Sequence, residues 1–175
     1  GGWGVGVGAG GGRASFRAGP DRTVAERLEE FSMHEIDLGP GAVLETGCVY
    51  VIELSERLAL PPDVSAAANA KSSTGRLDLF TRLIADRSSE FDRVEAGYHG
   101  PIYVEIRPPT FSVLVRPGEP LNQIRFHRGR RAWISDTALR ALPAAQPQVD
   151  FCAPSAGSLG LSFELRPGPT GVPSV

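Results

Sequence analysis

The sequence is poor in metal-binding chemistry. It has two cysteines, Cys48 and Cys152, which belong to no C-x-x-C pair, and three scattered histidines, His34, His99 and His127. No two of these have metal-ligand spacing, and no H-x-E…P-C-x-x-C pattern occurs, so zinc is not expected. Two thiols in 175 residues do not make a disulfide scaffold, and a reduced, cytoplasmic setting is the simplest reading. Long apolar runs are also lacking, so no transmembrane helix is expected. No basic n-region precedes an apolar stretch, so no signal peptide is expected. The net charge of −2 offers no general attraction to nucleic acid or to an anionic membrane. Lysine is almost absent: of the 18 basic residues, only Lys71 is not arginine.

Glycine, by contrast, is abundant and unevenly placed. Eight of the 21 glycines fall within the first twelve residues. A run this dense cannot repay its ordering entropy by burial, and the segment 1–20 is expected to be poorly ordered. Its formal G-x-G-x-x-G match at Gly6, Gly8 and Gly11 carries no weight, because no strand is expected before it.

Further along, Thr23-Val-Ala-Glu26 fits a capping box, and Val24, Leu28 and Phe31 follow at helical spacing. A short helix is predicted near 24–32. From Ile36 onward the texture is that of β-structure. Strands are predicted at 48–54, 102–106, 110–116 and 121–126, separated by proline- and glycine-containing turns. This spacing indicates an all-β barrel or sandwich. Residues 135–142 read as a second short capped helix and 160–165 as one more strand. The boundaries expected are a domain over 21–145 and a Pro/Gly-rich tail over 146–175.

Four segments could carry chemistry. Lys71-Ser-Ser-Thr-Gly-Arg76 holds two cations, three hydroxyls and a glycine. It suits a polyphosphate, with backbone N–H groups and hydroxyls donating to phosphate oxygens, or it is an ordinary polar turn. In Ile102-Tyr-Val-Glu-Ile106, alternation places the three aliphatics on one face, with Tyr103 and Glu105 on the other. If that second face is solvent, Glu105 is a surface carboxylate. If it lines a pocket, Glu105 is a credible general base. Residues 93–100 place glycines around Tyr98, either for close approach to a ligand or for a turn with a packed ring. In 121–126, Leu121, Gln123 and Arg125 share a face, and Gln123 could read a base edge or satisfy a neighbouring backbone.

Taken together, residues 34–38, 43–54, 58–86 and 96–129 resemble the dCTP deaminase/dUTPase superfamily, and specifically its long bacterial dCTP deaminases. The resemblance implies a β-clip, dUTPase-like distorted barrel, all-β with one or two short peripheral helices. It implies hydrolytic deamination of dCTP to dUTP and ammonia without zinc, with Mg2+ on the triphosphate. It also implies a trimer-like self-association with sites between subunits or repeats.

By the same resemblance, Glu105 is the catalytic acid/base. Ser72, with Lys71, Ser73 and Arg76 beside it, serves the phosphates and the attacking water. Ala85 falls near an alanine whose backbone polarises the base, and Arg93 and Gln123 match nucleotide-contacting positions. Three departures stand out. The family's N-terminal strand motif is missing, with the Gly-rich run in its place. The chain stops as a second repeat would begin, as an N-terminal-half fragment would. A C-terminal lid has no counterpart. Two alternatives therefore stand beside the deaminase: a dUTP diphosphatase-like hydrolase, and a non-catalytic nucleotide-binding half of a longer deaminase.

Overall fold

The computed structural model describes residues 5–8, 17–129, 135, 137–138, 154–155 and 158–159, and the side chains of 5–8, Met33, 154–155 and 158–159 are not described. The chain divides into two compact units, Gly1–Arg130 and Arg131–Val175. In the second, Pro154–Ser155 pairs antiparallel with Ser158–Leu159. Most of the predicted helix 135–142 and all of the predicted strand 160–165 lie outside the described residues. The Ala138 N–H donates to the Ser135 hydroxyl at 3.2 Å.

The first unit opens with β1 (Val5–Gly8), α1 (Val24–Phe31), β2 (Ser32–Glu35), β3 (Ala42–Leu44), β4 (Val49–Ala59) and β5 (Val64–Ala70). It continues through α2 (Ser72–Arg76), β6 (Phe80–Ala85), β7 (Arg93–Val94), β8 (His99–Arg107), β9 (Val113–Val115) and β10 (Asn122–Arg128). The strands form a five-stranded sheet in the order β2-β1-β4-β8-β6, a three-stranded sheet β10-β5-β7, and the pair β3-β9. This is the expected all-β architecture with two short helices.

α1 forms where its capping box directs. The Thr23 hydroxyl accepts the Glu26 N–H at 3.2 Å, and the Glu26 carboxylate accepts the Thr23 N–H at 2.7 Å. Val24 is fully buried beneath it.

The Gly-rich run corrects one expectation. Val5–Gly8 is a strand, placed between β2 and β4 in antiparallel register with both. A strand inserted between two partners is held by backbone hydrogen bonds, which glycine makes as well as any residue. The side-chain pattern that normally announces a strand is therefore missing here.

β8 lies between β4 and β6. Ile102, Val104 and Ile106 pack into two clusters on one face of the sheet, with Leu44, Tyr50, Ile52 and Val115 in one and Leu60, Ala66, Leu83 and Val94 in the other. On the opposite face, Tyr103 packs with Ala18, Val24, Val51 and Ile84 under α1. Alternation along β8 thus holds as predicted, yet both faces are buried. β4 shifts register against β8 between Glu53 and Arg57. Such a shift bends a strand, and Leu54, within it, touches both clusters.

Candidate functional site

The site is built outward from Glu105. It lies on β8, opposite Val51 of β4 on one side and Arg82 of β6 on the other. Its exposure is 1%, which excludes the surface reading of this carboxylate. The Arg82 guanidinium faces it across the strands. Arg82 Nε and Nη2 both donate to Glu105 Oε1, at 3.2 and 2.7 Å. The guanidinium carbon stands 3.9 Å from the centroid of the Phe91 ring and 4.9 Å from that of Phe80. A charge this deep is costly unless paired and hydrogen-bonded, and this one is both.

A second carboxylate lies close by. Asp92 Oδ1 accepts the Leu83 N–H at 2.8 Å, and the Asp92 N–H donates to Leu83 O at 2.9 Å. Burial pushes the Asp92 carboxyl above its usual range, although the Leu83 N–H and Arg82 pull it down; the nearby Glu105 adds to the rise. Asp92 holds a left-handed backbone with φ of 58°, which aspartate tolerates better than most residues.

The segment 93–100 is a turn with a packed ring, the plainer of its two readings. The Tyr98 hydroxyl accepts the Asp86 N–H at 3.2 Å and donates to Pro101 O. Burial raises the Tyr98 hydroxyl. It also raises that of Tyr103 to about 12, with further increments from Glu53 and Asp86. A Cβ at Gly100 would stand 2.8 Å from the Tyr98 hydroxyl, so the ring requires glycine there. Ala85 is buried at 1% and pairs with Ile102 at the end of β6.

Lys71-Ser-Ser-Thr-Gly-Arg76 is a short helix rather than a loop. Thr74 is buried and its hydroxyl donates to Leu121 O at 2.8 Å, while the Lys71 N–H donates to the same oxygen at 3.0 Å. The Gly75 N–H closes onto Lys71 O at 3.0 Å. The Lys71 and Gly75 N–H groups and the Thr74 hydroxyl are thus engaged internally. Ser72, Ser73 and Arg76 are exposed and Lys71 is half-buried. Neither cation has an ion-pair partner among the described residues.

Arg93 and Gln123 come together on a third surface. Gln123 pairs with Asn69, and Arg93 and Arg125 flank Ala67 from either side. The even-numbered residues of β5 face the core, so these polar side chains share the outer face of the three-stranded sheet. Arg93 is engaged by Glu90 at 2.6 Å. The structure thus leaves the candidates on separate surfaces: Glu105 beside Arg82, Ala85 three register positions along β6 in the cluster on the opposite face, the exposed side of α2, and the outer face of β10-β5-β7.

Arg82 and Asp92 were not singled out in the sequence. The signal for Arg82 was a charged residue inside FTRLIA, flanked by β-forming neighbours. Only the β6–β8 register shows that it meets Glu105.

A family model described as the 2'-deoxycytidine 5'-triphosphate deaminase (DCD) N-terminal domain matches residues 6–130. Among curated proteins, a dCTP deaminase of Ignicoccus hospitalis is 31% identical over 90 residues, covering 51% of this chain and 46% of the relative. A "dCTP deaminase, dUMP-forming" of Beutenbergia cavernae is 30% identical over 95 residues, covering 54% and 46%. Among solved structures, the crystal structure of 2'-deoxycytidine 5'-triphosphate deaminase from Agrobacterium tumefaciens is similar with a TM-score of 0.68 and 46% identity. That likeness covers 98% of this chain and 48% of that one. The chain spans about half the length of these relatives.

Proposed function

The chain belongs to the dCTP deaminase N-terminal domain family, and from that premise we propose that it hydrolyses dCTP to dUTP and ammonia with Glu105 as acid and base. The observation that carries this reading is a carboxylate at 1% exposure on β8, hydrogen-bonded to the Arg82 guanidinium. Apolar residues in place of a buried ion pair are often as stabilising or more so, so the pair fits a chemical use.

The reaction needs one group that both takes and gives a proton. Glu105 accepts a proton from water as the water oxygen bonds to C4 of cytosine. It delivers that proton to N3 as the ring loses aromaticity. Glu105 then takes the proton of the C4 hydroxyl and gives it to the amino nitrogen, so that collapse of the tetrahedral intermediate forms the C4 carbonyl, breaks the C4–N bond and releases ammonia. Positioned proton transfer of this kind contributes about 10²–10⁴-fold. The Ala85 backbone polarises the base, and a carboxylate does the work that zinc does in other hydrolytic sites.

The phosphates fall to α2. Lys71 and Arg76 supply charge, and the Ser72 and Ser73 hydroxyls donate to phosphate oxygens, with Ser72 also orienting the water. Arg93 and Gln123 contact the nucleotide from the sheet face. Lys71–Arg76 contains cations and hydroxyls but no carboxylate, so it suits phosphate oxygens and leaves Mg2+ to arrive on the triphosphate. In this reading a trimer-like assembly completes each site between copies. Among the described residues no helix is long and apolar enough to cross a membrane. A cytoplasmic setting, with dCTP and dUTP as the partners and neither nucleic acid nor membrane, accords with the composition.

Glu105→Gln keeps the size and hydrogen-bonding oxygen of the side chain but removes its basicity. It is expected to abolish ammonia release from dCTP while dCTP still binds in calorimetry. Undiminished turnover in that variant would remove Glu105 from the mechanism.

A further inference from the structure

Arg82 has no part in the chemistry above, yet it is hydrogen-bonded directly to Glu105. Two of its nitrogens converge on one oxygen, Oε1, at 3.2 and 2.7 Å. Its side chain is 27% exposed where that of Glu105 is 2% exposed, so it bridges the buried carboxylate and the surface. Phe91 and Phe80 border the guanidinium. A planar guanidinium that is both stacked and forked loses its freedom once and then holds its acceptor in one orientation.

The surrounding groups reinforce that geometry. Asp92 is tied to the backbone of Leu83, next in sequence to Arg82. Arg82 and Glu105 act on its carboxyl in opposite directions. Two carboxylates therefore lie within the field of one guanidinium, and the direct hydrogen bonds go to Glu105.

We infer that Arg82 is the positioning residue for Glu105, fixing Oε1 so that the carboxylate meets both the attacking water and N3 of the base. This inference rests on the reading of Glu105 as acid and base. A purely structural ion pair would hold the sheet together without regard to turnover. A positioning residue acts on the chemical step, where misplacement by about 1 Å costs about 10²-fold.

The two roles separate experimentally in the 175-residue chain. With Arg82→Ala, kcat for ammonia release is expected to fall about 10²-fold. The KM for dCTP should stay within about threefold, because the phosphates that dominate binding are held elsewhere. Guanidinium chloride at sub-denaturing concentration should restore part of kcat by occupying the vacated fork. Arg82→Lys keeps the charge without the fork and should be intermediate. Phe91→Leu keeps bulk without the ring face, and should lower kcat several-fold at unchanged KM.

Wild-type kcat in Arg82→Ala overturns the inference. So does a parallel loss of kcat and dCTP affinity with no rescue. If Arg82→Ala does not fold, Arg82→Lys and Phe91→Leu decide, and unaltered kcat in both overturns it. Absence of ammonia release from the unsubstituted chain overturns the deaminase reading, and this inference with it. Normal release with indifferent Arg82 variants overturns this inference alone.

Discussion

Around Glu105 the individual residues are in tension, and that tension is measurable. Asp92 is pushed up by burial, so in the folded chain it ionises at a higher pH than a free aspartate does. A raised carboxyl favours the fold below the unfolded value, and that advantage is lost as pH rises through the folded value. At neutral pH, ionised Asp92 therefore destabilises the chain. Asp92→Asn keeps an acceptor for the Leu83 N–H and suits the left-handed backbone. It should raise stability at pH ~7 by about 0.5 kcal/mol or less, with the gain gone by pH ~3 in paired thermal melts. Gly100 is constrained by contact. A methyl group there meets the Tyr98 hydroxyl at 2.8 Å, which displaces the ring from Asp86 and Pro101. Gly100→Ala should cost about 1–3 kcal/mol in denaturant unfolding.

At the scale of elements, local signals and register divide the explanation. The α1 capping box is complete in both directions. Thr23→Ala should therefore lower stability by about 1 kcal/mol, or about 2–4 °C in Tm. That helix was legible in the sequence because its capping residues are three positions apart. β8 and β10 were legible from alternation, as was the grouping of Ile102, Val104 and Ile106, and the start of β4 from its β-forming run at 48–54. β1 was not, because glycines Gly6 and Gly8 carry no side-chain pattern and the strand exists through its neighbours' backbones. α2 was not legible as a helix, since Lys71–Arg76 reads equally as a polar turn, and its anchor is Thr74 bonded to Leu121, 47 positions away. Glu105 was visible as a carboxylate on the second face of β8, but its burial depends on Val51, Arg82 and α1. Local sequence cannot report a contact such as Arg82–Glu105, which is separated by 23 positions.

For the whole molecule, the question is how its separated groups act as one site. If each site takes Glu105 from one copy and α2 from another, two inactive variants should complement. Co-expressed Glu105→Gln and Arg76→Ala chains should recover about a quarter of the wild-type activity per site in a randomly mixed cyclic assembly. Light scattering should show that assembly larger than a monomer. Recovery at zero, with the assembly intact, would place both groups of a site in one chain.

The most direct test of deamination is product analysis of dCTP incubated with the chain and Mg2+. The account predicts dUTP and ammonia in equal amounts, without pyrophosphate, and neither product from Glu105→Gln. Pyrophosphate without ammonia, or binding of dCTP with no product at all, would contradict it.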